Sequence, residues 1–378
     1  MTGRLARLSP LLLLAWLQGA LADTCPPWVL WQNFQKHLVS EDGRVIDYHS
    51  PALHSTSEGQ AYALFMALVN NDRERFDQLL RWTENNLAQG DLHARLPAWQ
   101  WGRKADKSWG VIDANSASDA DLWLAYSLAE AGRLWSRPRL TTLARSLARR
   151  ILAEESARLP GLGLMLLPGP RGFVMQDGRW RLNPSYLPLQ LLRHMEQLLP
   201  EMGWQEILDN TLTMLQASRL GLIPDWILYD KRHRFLADTK HGNRGSYDAI
   251  RVYLWAGMLH PEEPARTTVL NLLAPMARLI EELGAPPRSI DTKTGQADMT
   301  GSPGFSAALL PLLQSLHHPR LVAQLQSQAR NVLQHPDHYY DQVLALFALG
   351  WMEGRYRFDR HGYLLPRWTS PCTTTSHS

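Results

Sequence analysis

Helical periodicity recurs along almost the whole chain while strand-like alternation is scarce, and this restricts its 378 residues to an all-α architecture. Apolar residues three and four apart predict twelve helices, near 26–39, 54–70, 72–89, 116–135, 138–157, 183–199, 203–217, 245–258, 264–283, 304–315, 319–333 and 338–354. In the fourth, Ala117, Leu124, Leu128, Ala131 and Trp135 mark the buried face, and Gly132 weakens the end. A short β-hairpin is expected within 172–182, where Phe173-Val174-Met175 and Arg179-Trp180-Arg181 flank Gln176-Asp177-Gly178. No linker, charge block or fixed-period repeat divides the sequence, so one domain over 23–378 is the simpler expectation.

The first 22 residues are set apart. Arg4 and Arg7 precede the apolar run Leu11 to Leu17, and Ala20-Leu21-Ala22 supplies a small-x-small cleavage site, the pattern of a secretory leader. The run is shorter than the roughly 20 apolar residues a bilayer span needs. A periplasmic or secreted protein with no membrane insertion after cleavage is expected. Cys25 and Cys372 would then meet an oxidising compartment and are expected to bridge the ends of the chain. Of 39 Lys and Arg, two lie in the leader, against 36 Asp and Glu. A near-neutral protein offers no footprint for nucleic acid. Fifteen Trp suit a neutral ligand with flat faces, and the histidines show no recognisable metal-ligand spacing.

Connections leading into even-numbered helices include long, aromatic, polar segments, and acids stand where those helices open. Ser55-Thr56-Ser57-Glu58 reads as a capping box opening the second helix, Ser116-Ala117-Ser118-Asp119 opens the fourth and Gly245-Ser246-Tyr247-Asp248 the eighth. Asn183-Pro184-Ser185-Tyr186 opens the sixth, and Tyr339-Tyr340 the twelfth. Three caps, or three parts of one site, would account for the acids. If alternate helices run parallel in the inner ring of a barrel of six helical hairpins, all these N-termini emerge at one end. Two carboxyl groups across an aromatic-lined groove are the minimum for glycoside hydrolysis: one protonates the leaving oxygen while the other activates water or attacks directly. Trp99 and Trp101 are candidate platforms for sugar faces. His54 reads as a turn residue, Asp121 as structural, and Arg103, Lys104 and Lys107 as a solvated loop.

Ala117-Ser118-Asp119-Ala120-Asp121, followed by Ala125, Ala131 and Trp135, resembles the signature of glycoside hydrolase family 8, with Leu124 where that pattern has Ile or Met. Ser57-Glu58-Gly59-Gln60 resembles its general-acid motif, and Ser246-Tyr247-Asp248-Ala249-Ile250-Arg251 its catalytic-base motif. Trp82 to Gly90, Leu96 to Trp99 and Asn183 to Pro188 are similar to the branch of periplasmic endo-β-1,4-glucanases that accompany bacterial cellulose synthase. The resemblance implies an (α/α)6 barrel, inversion at internal β-1,4-glucosidic bonds of cellulose, and no metal or organic cofactor. Glu58 would be the acid and Asp248 the base. Asp119 would hold the distorted sugar, Tyr186 would position the water, Arg251 would hold Asp248 or a hydroxyl, and Trp99, Trp101 and Tyr247 would line the subsites. A monomer acting on a glucan chain beside the synthase and export machinery is expected. The alternatives are a hydrolase of chitosan, xylan or mixed-linkage glucan, and a glucan-binding protein without turnover.

Overall fold

The computed structural model describes residues 26–218 and 220–370. The leader and the disulfide expected from the sequence lie outside that range. Thirteen α-helices form among the described residues: α1 (Val29–Leu38), α2 (Ser57–Val69), α3 (Arg73–Leu87), α4 (Ser118–Leu134), α5 (Pro138–Glu155), α6 (Leu189–Leu198), α7 (Trp204–Gln216), α8 (Ala249–Gly257), α9 (Arg266–Leu273), α10 (Pro275–Leu283), α11 (Pro303–Ser315), α12 (Pro319–Ala329) and α13 (Tyr339–Met352). The predicted ninth helix is two, because Pro275 has no amide to continue the ladder and restarts it as the first residue of α10.

The order of packing closes a circle. Helix α2 packs on α4, α4 on α6, α6 on α8, α8 on α11, α11 on α13, and α13 back on α2. Outside them α3, α5, α7, α9 and α12 each cover the inner helix adjoining them in sequence, while α1 covers α13. The result is an (α/α)6 barrel. Composition follows position: almost every residue of α2, α8, α11 and α13 is buried, whereas α3, α5 and α12 carry one apolar stripe. Inner helices approach so closely that a Cβ on Gly257 would lie 2.1 Å from the amide nitrogen of Leu312. Gly132 serves the same end between α4 and α5, where a Cβ would meet the Thr141 hydroxyl at 2.2 Å; the helix runs past it to Leu134 rather than weakening there.

The barrel is plugged, not open. Tyr62 and Phe65 from α2, Trp123 from α4, Trp255 from α8 and Phe347 from α13 meet on the axis, with Trp123 and Phe347 centroids 4.9 Å apart and Trp255 and Phe347 5.0 Å apart. Among the described residues seven Trp are buried, so much of the Trp content that suggested a flat ligand is core.

Short sheets ornament the connections. Ser55–Thr56, Gln100–Arg103 and Trp109–Asp113 form one antiparallel sheet, and Arg244–Gly245, Pro287–Asp291 and Ala297–Thr300 another. The expected hairpin at 172–182 is present in reduced form: Val174 bridges Trp180, but Trp180–Leu182 pairs chiefly with Ile227–Tyr229, itself paired with Phe235–Ala237. At the opposite end the hairpin of Tyr356–Phe358 and Leu364–Pro366 is tied to α4, since Glu130 accepts the Leu364 amide at 2.7 Å. Arg355 gathers both ends of the described chain, donating to the carbonyls of Pro26 and Pro27 and accepting the Arg367 amide.

Candidate active site

Arg251 leaves the first turn of α8 and is almost wholly buried above the aromatic plug. One terminal nitrogen, Nη1, donates to the Glu58 carboxylate, to Asp119 Oδ2 at 3.1 Å and to the Tyr62 hydroxyl at 3.0 Å. The other, Nη2, donates to Asp248 Oδ1 at 2.8 Å and to Ser185 Oγ at 3.1 Å. Three acids separated by up to 190 positions therefore share one cation. The nearest oxygens of Glu58 and Asp248, one guanidinium apart, are within roughly 8 Å of one another, a bound that admits the inverting separation of about 6.5 to 9.5 Å.

Each acid is delivered by a different local device. Glu58 is the second residue of α2, and the cap is Thr56, whose hydroxyl accepts the Gly59 amide at 3.0 Å. Ser55 is not the cap expected from sequence: it lies in the rim sheet, bonded to the Val45 carbonyl and to Arg44. Glu58 is thereby released from any capping box and faces Arg251. Asp119 sits one residue inside α4 and accepts the Ala120 amide at 2.8 Å. Asp248 occupies the N-cap position of α8 but caps nothing. Asp225 does that work for it, its Oδ1 accepting the amides of Ser246, Asp248 and Ala249 at 2.7, 3.1 and 2.9 Å. Freed from its own backbone, the Asp248 carboxylate is available for chemistry.

Burial sets the protonation of these groups. Desolvation, then the neighbouring Glu58 charge, pushes Asp119 up to about 8 against the pull of Arg251. Asp248 rises to about 6, with desolvation dominant, Arg251 opposing it and Asp225 adding to it. Around neutral pH the site therefore holds a protonated acid at Asp119 beside a largely ionised Asp248.

Aromatic residues frame the acids. The Arg251 guanidinium lies 5.6 Å from the Tyr186 ring, and Tyr186 adjoins Trp226, which stacks on Phe173. Tyr247 is 49% exposed, resting against Phe305 and Tyr340, and the Tyr340 hydroxyl donates to its carbonyl. The profile of the family described as Glycosyl hydrolases family 8 matches residues 1–354. The chain belongs to that family.

Among its relatives in family 8, an endoglucanase of Xanthomonas axonopodis pv. citri (strain 306) is 48% identical, the match covering 99% of this chain and 98% of the relative. The crystal structure of an endo-1,4-D-glucanase from Vibrio fischeri ES114 has a TM-score of 0.88 at 46% identity, covering 91% of this chain and all of that one. The endo-beta-1,4-glucanase CMCax from Acetobacter xylinum has a TM-score of 0.71 at 26% identity, covering 85% and 96%. Family 8 hydrolyses glycosides with inversion, and this chain is an enzyme of that kind.

The structure brings Glu58, Asp119, Asp248, Arg251 and Tyr186 together and sets Tyr247 beside them. Trp99 is half-buried, and its carbonyl accepts the Ser57 amide, next to the acid. Trp101 is employed differently: its ring packs on Trp82 and Trp109 under the Arg44 guanidinium, which buttresses the rim sheet. His54 turns to Gln100, and Arg103, Lys104 and Lys107 are exposed. Asp121 is buried away from the cleft beside Glu155. Sequence reasoning missed Asp225, Ser185, Tyr62 and Trp226. A turn aspartate after Pro224 and a serine after Pro184 look like ordinary loop chemistry until the fold brings them to Arg251 and α8.

Proposed function

We propose that this protein is an endo-β-1,4-glucanase that cleaves internal bonds of cellulose with inversion. The observation that carries the reading is the single buried arginine holding Glu58, Asp119 and Asp248 at one rim of the barrel. Glu58 donates its proton to the glycosidic oxygen as that bond breaks. Asp248 takes a proton from a water that attacks the anomeric carbon from the opposite face, so the new reducing end is the α-anomer. Asp119, its carboxyl raised to about 8 chiefly by burial, binds a hydroxyl of the sugar at the cleavage point. Tyr186 orients the water, Arg251 keeps Asp248 turned inward, and Trp99 and Tyr247 meet pyranose faces along the groove.

The endoglucanase names of the relatives support the substrate, and the leader-like first 22 residues support action in the periplasm or outside the cell. No helix among the described residues is long and apolar enough to cross a membrane. Within that compartment the enzyme would trim glucan chains beside the synthase and export machinery that make them.

Loss of viscosity of carboxymethylcellulose, followed with wild type, Glu58→Gln and Asp248→Asn, tests the assignment. Wild type thins the polymer, and each variant is slower by about 10²- to 10⁴-fold, the usual contribution of a general acid or base. Proton NMR of the first-formed product shows the α-anomer. Unchanged viscosity with all three proteins would leave a glucan-binding protein, and a β-anomer would overturn the inverting roles.

A further inference from the structure

Outside the acid cluster, another group of ligand-bearing side chains meets on the same rim. The segment between α1 and α2 supplies His49, and the segment leading into α13 supplies His335-Pro336-Asp337-His338. His49 Nε2 lies 3.0 Å from Asp337 Oδ2. One ligand atom each from His49, Asp337 and His338 falls within 4.8 Å of the others. The His338 ring stands edge-on to His49 at 4.6 Å and is stacked by His335 at 4.7 Å. Two imidazoles and a carboxylate thus converge from two segments about 290 positions apart in sequence. Their individual spacing announces nothing, which is why the sequence yields no metal motif.

We propose that His49, Asp337 and His338 form a site for a divalent transition-metal ion of the zinc class, with water as the fourth ligand. Two imidazole nitrogens and a carboxylate oxygen match zinc, which takes such donors at about 2.0 to 2.2 Å in a tetrahedron. Calcium and magnesium prefer all-oxygen shells and are disfavoured by the imidazoles. Seating an ion requires the donors to adjust their separations by about 1 Å, and His49 and Asp337 are exposed side chains free to do so.

The ion would not take part in hydrolysis, since none of its ligands touches the three acids. Its effect is to join the segment that ends in Thr56, the cap of the Glu58 helix, to the segment that opens α13. The two already approach each other at Gly59, where a Cβ would meet the Tyr339 hydroxyl at 2.9 Å and the Thr56 hydroxyl at 3.3 Å. A bound metal would clamp one wall of the groove. The proposal stands independently of the substrate reading.

Equilibrium dialysis of chelator-stripped wild-type protein against zinc chloride, beside His49→Ala, His338→Ala and Asp337→Asn, decides it. The chain has 14 histidines, so the informative quantity is the equivalent lost on substitution and not the total bound. Wild type should hold one equivalent at micromolar free zinc that excess magnesium does not displace, and each variant should bind that equivalent at least tenfold more weakly. Zinc should also raise the Tm of wild type but not of His338→Ala, while carboxymethylcellulase activity persists without metal in both. Cobalt substitution should give the intense visible absorption of a four-coordinate site. Absence of a zinc equivalent in wild type, or one that survives in His49→Ala and His338→Ala alike, overturns the site.

Discussion

At the scale of single residues, Asp225 illustrates how much of the site's chemistry lies behind the acids themselves. Its Oδ1 caps α8 on behalf of Asp248, and its charge is one of the influences raising that carboxyl to about 6. Asparagine at 225 keeps an acceptor for the three amides while removing the charge. The base must be ionised to act, so kcat/KM should fall as pH drops through about 6, and Asp225→Asn should move that acid limb to lower pH. A pH profile of carboxymethylcellulose hydrolysis reads the shift; a limb that stays put or rises would remove Asp225 from the electrostatics of the base. Glu58, Asp119 and Asp248 were legible in the sequence because helix N-termini on alternate helices carry positional information. Asp225 was not, because a capping side chain borrowed from a loop 23 residues upstream leaves no local pattern. Ser55 was legible wrongly for a related reason: the rim sheet claims its hydroxyl, and Thr56 takes over the cap.

Elements obey the same division between local and distant control. Twelve predicted helices against thirteen observed differ mainly at Pro275 and in frayed ends, since a 3.6-residue apolar period is written into each segment. The rim strands are two to five residues long and owe their existence to neighbours: Trp180–Leu182 is extended because Ile227–Tyr229 lies beside it. Tyr186, expected inside a long sixth helix, instead ends a 3-10 turn at Pro184–Tyr186, with Pro188 separating it from α6. That break lets Ser185 meet Arg251 and Tyr186 stand beneath its guanidinium. For α2 the cap assignment is open to measurement. Thr56→Ala should lower stability by about 1 kcal/mol, as loss of an N-cap does, while Thr56→Ser restores most of it. Denaturant unfolding of the three proteins tests this, and an alanine variant as stable as wild type would show that the α2 cap lies elsewhere.

Over the whole molecule, closing six inner helices around an aromatic plug forces acids at their N-termini, and Glu155 at the end of α5, into a poorly solvated layer, and this ties stability to pH. Asp119 and Glu155 are each pushed to about 8, chiefly by burial, Asp121 is raised by burial and then by Glu155, and Asp248 stands at about 6. In the unfolded chain such carboxyls titrate near 4. The folded state therefore binds more protons than the unfolded one between about pH 4 and 8, and stability must fall as pH rises through that window. Carboxylates with lowered values, such as Glu130 held by His194 and Arg133 against its burial, act the other way, and their stabilisation is lost only on acidification below about 4. The two sets together place maximal stability on the acid side of neutrality. Asp121 and Glu155 contribute through a pair of buried carboxyls in which Ser116 satisfies one oxygen of Glu155, and neither oxygen of Asp121 receives a conventional donor. Protonation of this pair, favoured by burial, is what lets both carboxyls stay inside. Glu155→Gln keeps an acceptor for Ser116 and offers Asp121 an amide donor in place of that proton, so the variant should melt with a shallower dependence on pH between about 5 and 8. Calorimetric Tm values for wild type and variant across that range provide the comparison. If wild type grows more stable towards pH 8, or the variant keeps the full slope, the raised protonation of this layer is not what couples the barrel to pH.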